Sequence, residues 1–477
     1  MPLISANRQL AFATEKEAGT AETLSTSSEF ARVLNPQMNI NLEEIADEAA
    51  APSAGRLAPS QGLRQATMTF GVEIAGPKGS GEDATNDPFF HSLLLACGFK
   101  RVAAKTMTIT GFKTGAGDVF KQGREFSGDV SSGQGRVLKT IFKDQGTTDL
   151  IYEDLGTDFT SSDTELTLSD TGGDYDGNIV EVSSQTPADL GIAYVPISRP
   201  VYTITYSTGI GAGYAVGDIL KGGSSKAVAR VVEAVSSGGT KCRVEFLSKN
   251  GFTASETVTN EDQSDAVAVT ATPQAAFAFP SLTLGLVEDR RMKKIHGARG
   301  QVQVVATAGR PVRLNFTFSG LYNPVTDQDP FDAAIDGGLT PPRFVSGNHW
   351  FGTSSGVCPP FNELQITYNP SPAAVANPKS SEGVEQFYGA QRVISGSIDP
   401  LAELETAFGL YNKADDKESF PMFFSWGSTA GNKYEIQMDQ VVLGSPNSGD
   451  RNGLLTDQTP FGAYLYKDDD ELVIIQR

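Results

Sequence analysis

Histidine and cysteine are nearly absent, with three of each in 477 residues. Cys97, Cys242 and Cys358 are odd in number and far apart, so they offer no disulfide framework and fit synthesis in a reducing compartment. His91, His296 and His349 never stand at zinc-ligand spacing from one another or from a cysteine. His349 and Cys358 lie close in sequence, but two ligands make no metal site. No apolar run reaches the roughly 18 residues a spanning helix needs. The first twenty residues lack the basic-then-apolar order of a secretory leader, so none is expected. Cations are also short: 38 Lys and Arg against 57 Asp and Glu leave a net charge of −19, which argues against general nucleic-acid binding and against anionic membranes. There is no G-x-S-x-G elbow, and the glycines between Gly209 and Gly217 are not followed by Lys-Ser/Thr. Asp170, Asp174 and Asp176 lack EF-hand spacing. The expectation is a protein without catalytic residues, metal or cofactor.

What the chain has in quantity is turn residues, 50 Gly and 25 Pro, set between short alternating segments, which predicts a mainly β protein. In 64–75, Met68, Phe70, Val72 and Ile74 share one face and Thr67, Thr69 and Glu73 the other. In 312–320, Val312, Leu314, Phe316 and Phe318 alternate with Arg313, Asn315, Thr317 and Ser319. Segments 301–305 and 434–439 alternate too. Two short helices are predicted, one after Asp87-Pro88 and one after Asp399-Pro400, the latter with Leu401, Leu404, Phe408 and Tyr411 at helical spacing.

Each helix follows a strand, a loop and a strand: 30–41, 42–63 and 64–75 in the first half, 361–369, 370–389 and 390–398 in the second. Three strands follow each helix: 281–288, 292–305 and 312–322, then 420–427, 433–443 and 461–466. The shared order reads as a duplication. A second repeat pairs Phe120-Lys-Gln-Gly123, Arg136-Val137, Phe159 and Glu165 with Tyr214-Ala-Val-Gly217, Arg230-Val231, Phe252 and Glu256. The expected layout is a discontinuous first domain (1–112, 186–202 and 276–330), inserted β-modules over 113–170 and 203–275, a linker over 331–358, and a second domain over 359–477. Insertions of this size are tolerated at exposed loops.

Ser281-Leu-Thr-Leu-Gly-Leu-Val-Glu-Asp-Arg290, Lys294-Ile-His-Gly-Ala-Arg-Gly-Gln-Val302 and the 311–322 strand resemble tail tube proteins of long-tailed bacteriophages. The "GARG" turn at Gly297 to Gly300 and the "LxFxFxGxY" strand from Leu314 to Tyr322 carry the likeness, with "LLxACGF" at Leu93 to Phe99, within Pro88–Phe99, matching that family's helix. The resemblance covers most of 30–322 outside the inserts. It implies a virion protein made in the host cytoplasm, with two β-sandwich tube domains in tandem. It further implies stacked rings, three chains each, around a channel that DNA crosses without specific binding. Tape measure, tail terminator and distal tail proteins would be its partners. On this reading Gln301, Gln303, Arg313, Asn315 and Thr317 in the first copy, and Glu435, Gln437 and Asp439 in the second, are expected to line the channel. Loops 42–63 and 370–389 are expected to order between rings, through Glu43, Glu44, Asp47, Glu48, Arg56, Lys379 and Glu382. The terminal arms are the second stacking candidates. A decoration or receptor-binding protein with glycan-binding modules is the alternative for a β-rich acidic chain.

Overall fold

The computed structural model describes residues 8–477 apart from 16–18, 46–58, 78–86, 113–118, 132, 143–147, 155–158, 161–162, 164, 170–178, 183–186, 198–201, 216–217, 232–234, 247–250, 261–265, 271–273, 276–279, 334, 336–337, 353–357, 379–383, 390 and 466–468. The fold is mainly β, 59% strand and 4% helix. The chain forms two compact units, Met1–Pro196 with Pro280–Arg477, and Ile197–Phe279.

The larger unit is built on a frame that occurs twice, and only the strands of this frame are labelled. The first copy comprises β1 (Leu34–Ile45), β2 (Ser60–Glu73), β3 (Leu282–Glu288), β4 (Arg291–Thr307) and β5 (Arg313–Asp327). The second comprises β6 (Phe361–Asn369), β7 (Pro372–Ala376), β8 (Val384–Gly389), β9 (Val393–Pro400), β10 (Ser419–Trp426), β11 (Tyr434–Leu443), β12 (Asn447–Arg451), β13 (Leu454–Ala463) and β14 (Val473–Gln476). In the first copy the antiparallel order is β1–β2–β5–β4–β3. In the second it is β6–β9–β13, then β11 and β12 together, then β10. These are the same order, with one long strand of the first copy divided into β11 and β12 in the second. The two sheets join where β4 pairs with β6, from Val302 opposite Tyr368 to Thr307 opposite Glu363. One apolar cluster runs through both copies, from Met68, Phe70 and Phe316 to Ile366, Ile398 and Met438. Each such side chain stabilises the fold by about 1.5–3 kcal/mol when fully buried, so the shared cluster ties the two copies together.

One local expectation is corrected. Helix α1 (His91–Ala96) lies in the first expected helical segment, but α2 spans Leu410–Asp416 and does not start at Asp399-Pro400. Asp399 Oδ1 accepts from the backbone N–H groups of Asn362 (2.9 Å) and Glu363 (2.6 Å), and its Oδ2 accepts from Arg451 (2.9 Å). That carboxylate braces β6 and is not a helix cap, and Pro400 ends β9 opposite Phe361. Leu404, placed on the core stripe from spacing, is 79% exposed. The helix begins after Gly409, whose φ of 71° is one that glycine adopts without strain.

The described parts of the terminal arms carry strands. Arg8–Thr14 pairs along all of β3. Glu15 fastens it, accepting from Ser281 Oγ (2.5 Å), Thr283 Oγ1 (2.9 Å), Gly297 N (2.6 Å) and Gly19 N (2.8 Å). At the other end β14 pairs with β11 and with Ala188–Pro196. Arg8–Thr14 and β14 are thus sheet strands within the unit, and residues 1–7 lie outside the described residues.

The described part of loop 370–389 carries strand, with 379–383 lying outside the described residues. It folds back as the β7–β8 hairpin.

The inserted modules share one topology. In the first, strands run in the order Phe99–Phe112, Thr148–Asp154, Gln134–Val137, Glu125–Gly128, Glu165–Ser169, Ile179–Val182 and back to Phe99–Phe112. In the second the order is Tyr202–Thr205, Lys241–Phe246, Val228–Val231, Ile219–Gly222, Thr257–Asn260 and Ala266–Ala268, returned to the first strand by a bridge between Tyr206 and Val269. Closure hides the sheet edges. The first module therefore uses strands on both sides of 113–170, borrowing the strand after α1.

The carboxylates of the modules correspond as Asp163 and Glu256, not Glu165 and Glu256. Asp163 accepts from Ser131 N (2.7 Å), Val130 N (3.1 Å) and Thr160 N (2.7 Å). Glu256 accepts from Ser225 N (2.8 Å), Ser224 N (3.1 Å) and Thr253 N (2.7 Å). Burial opposes their ionisation, but the accepted hydrogen bonds prevail and hold both pKa values below the usual carboxylate range. A depressed folded pKa adds stability above the unfolded value and loses it as pH falls through the folded one. Glu256→Gln should therefore speed amide exchange over 219–231 by ~10- to 100-fold at pH 7, matching about 1–3 kcal/mol. The gap from wild type should close in acid. Equal exchange at pH 7, read by mass spectrometry, would remove the carboxylate from this role.

Candidate channel face and assembly edges

The alternation of β5 places Leu314, Phe316 and Phe318 in the core, where the rings of Phe316 and Phe318 lie 5.6 and 5.9 Å from that of Phe70. Its other side, with the same side of β4, carries Arg313, Asn315, Thr317, Gln301 and Gln303, all solvent-accessible to some degree. Register brings these expected residues together: Gln301 opposite Thr317, Gln303 opposite Asn315, and Thr317 opposite Thr69 of β2. Asn315 Nδ2 donates to Gln303 Oε1 at 3.4 Å.

The face does not stop at the end of the first copy. Across the β4–β6 joint, Gln303 lies opposite Thr367, and its Nε2 donates to Gln365 Oε1 at 3.3 Å. On β9, Ser395 and Ser397 continue the row opposite Thr367 and Gln365. The result is a surface of amides and hydroxyls spanning two copies. Its one expected cation, Arg313, lies 3.7 Å from Glu73, so the charge is offset. Gln365 and Thr367 were legible as outward positions of an alternating segment, because Leu364, Ile366 and Tyr368 point the other way. What made them continuous with Gln303 was the joint, which no local pattern carries.

Glu435, Gln437 and Asp439 are corrected. They are buried, each at most 2% exposed, and cannot line a channel in this chain. The first module and the chain end cover them. Glu435 lies 2.7 Å from Arg477, 3.6 Å from Lys433 and 3.8 Å from Lys139. Asp439 Oδ1 accepts from Thr140 Oγ1 at 2.6 Å, and burial raises its pKa. Lys139 is lowered by burial and sits 4.3 Å over the Phe423 ring.

Two strand edges complete the site. Among the described residues β1 pairs only with β2, and β12 only with β13. These are the two edges that correspond to the internal joint. Strand β6, the counterpart of β1, has its second edge covered by β4. The C-terminal half of β4, the counterpart of β12, has its second edge covered by β6. Tyr368 opposite Ile394 matches Ile40 opposite Ala66, yet Tyr368 is 1% exposed and Ile40 39%. Pro36, Glu43 and Glu44 on β1 are residues that keep an edge strand from pairing indiscriminately. Glu43 Oε2 also accepts from Leu63 N at 3.0 Å, within the same hairpin. Asp47, Glu48, Arg56, Lys379 and Glu382 lie outside the described residues.

The chemistry-bearing rarities have packing roles. His91 Nδ1 lies 3.0 Å from Tyr194 Oη. His349 packs against Phe344, Phe361 and Phe424, and burial lowers its pKa to about 4. Burial raises Cys358 to about 12. Among the described residues no three His, Cys, Asp or Glu side chains converge on a point that could hold a metal. No protein-family model matches the sequence, and no curated protein matches it significantly.

Proposed function

We propose that this chain is a tail tube subunit of a long-tailed bacteriophage, a non-enzymatic building block that polymerises into stacked rings around a channel for DNA. The observation that carries this reading is the β4–β6 joint together with the two matching open edges. A sheet edge is a row of unpaired donors and acceptors. Within the chain, copy two covers such an edge on copy one. The same step between chains would bring β1 of one molecule to β12 of the next. A contact between different patches closes into a ring or runs on as a filament. Three chains present six sheets, the number the family resemblance implies.

The amide and hydroxyl face suits passage without retention. A polyanion is held by cations that displace its counterions, and among the residues named on this face the one cation, Arg313, is paired with Glu73. The net charge of −19 acts in the same sense. Stacking between rings is assigned to surfaces other than Arg8–Thr14 and β14, which pair within sheets. Negative-stain micrographs of the purified protein should show rings with threefold averages and, at higher concentration, tubes. A monodisperse monomer at high concentration would sink the proposal.

A further inference from the structure

The β7–β8 hairpin of the second copy does not project freely. Val384 and Phe387 of β8 are buried against Leu321 of β5, with Leu63 of β2 packed beside them. An arm of copy two thus sits on copy one, beside the joint where β6 meets β4.

Strand register carries this seat onto the second copy. Phe318 lies opposite Met68, as Phe461 lies opposite Gly396. Two residues on, Gly320 lies opposite Ala66, as Ala463 lies opposite Ile394. Leu321 therefore corresponds to Tyr464. At that place the second copy carries an open groove of about 600 Å³, lined among others by Val393, Leu443, Phe461, Tyr464 and Leu465. Leu321, beneath the arm, is 2% exposed, whereas Tyr464 and Leu465 are each 57% exposed and Val393 is 51%. Apolar side chains grouped in a groove mark an interaction surface rather than scattered surface residues.

We infer that this groove receives the β1–β2 hairpin of a second copy of this chain. The hairpin is the first-copy counterpart of the arm: Asn41 opposite Gln65 matches Asn369 opposite Val393. It is also the extension of the strand proposed to pair with β12. One neighbour would then supply both contacts, as copy two supplies both to copy one. The inference rests on the proposed ring and adds its second contact.

The test replaces Tyr464 with photoreactive benzoylphenylalanine in the full chain and mixes it with isotope-labelled wild type. Illumination of assembled material should give cross-links between chains that map within residues 34–73. In parallel, Tyr464→Glu with Leu465→Glu should lower ring yield at least ten-fold while leaving the thermal unfolding of the monomer unchanged, since both side chains are exposed. Cross-links mapping elsewhere, or undiminished rings from the double variant, would overturn the groove contact and leave the ring proposal standing. Failure of wild type to assemble overturns the ring proposal and this contact with it.

Discussion

Tyr368→Ala should lower the stability of the larger unit by about 3–5 kcal/mol, the cost of truncating a fully buried aromatic. The residue sits at the seam of the duplication. It lies on β6 opposite Val302 of β4, and its ring centroid is 4.3 Å from that of Phe99. Its hydroxyl donates to the Gly98 carbonyl at 3.0 Å. Truncation opens a cavity between the copies and leaves that carbonyl without its donor. Tyr368→Phe keeps the ring and loses only the hydrogen bond, so about 1 kcal/mol is expected. Trp350 and Trp426 are both buried in the same unit and report its unfolding in urea. Because one apolar cluster spans both copies, the whole transition should move and not split in two. An unchanged midpoint for Tyr368→Ala would mean that the seam contributes little and the copies stand alone.

How much of this was legible beforehand depended on whether the decisive partner was near in sequence. The alternation of 64–75 and 312–320 marked the buried faces of β2 and β5, because a strand with one dry face records it in every second residue. The repeated order of elements was legible for the same reason. Segment 434–439 misled because it alternates polar and apolar residues while both of its faces are buried. Tyr434, Ile436 and Met438 enter the core, and Glu435, Gln437 and Asp439 meet Lys139, Thr140 and the chain end. That cover comes from roughly 300 residues upstream, as the separation of Thr140 and Asp439 shows. Asp399-Pro400 misled because an Asp-Pro pair suits a helix start, yet the carboxylate is engaged by Asn362, Glu363 and Arg451. Loop 370–389 looked too polar to fold alone. It does not fold alone: two apolar residues, Val384 and Phe387, find their seat on Leu321. The open edges of β1 and β12 were beyond sequence reading altogether, since an edge is defined by what does not pair with it.

Ser448→Pro should abolish ring formation and leave the fold intact, while Gly449→Pro, one residue on, should damage the fold itself. The difference follows from the turn. Strands β12 and β13 are joined by Asn452-Gly453, with φ of 56° and 84°, the two-residue hairpin turn that needs both residues left-handed. In such a hairpin the flanking pair, Arg451 and Leu454, exchanges hydrogen bonds, and bonded and non-bonded pairs alternate from there. Gly449 opposite Thr456 is then a bonded pair, and Ser448 opposite Asp457 is not. The Ser448 N–H points away from β13, to the edge proposed to meet β1 of the next chain. Proline there removes an outward donor and obstructs a partner strand, a substitution that edge strands tolerate within a monomer. At Gly449 the same substitution breaks a hydrogen bond of the hairpin. Ser448→Ala is the control: it removes the side-chain bonds to Tyr411 and Asp457 and keeps the N–H, so rings should form. Ring yield by electron microscopy and monomer melting by circular dichroism separate the three variants. Rings from Ser448→Pro at the wild-type yield would show that β12 is not a joining edge.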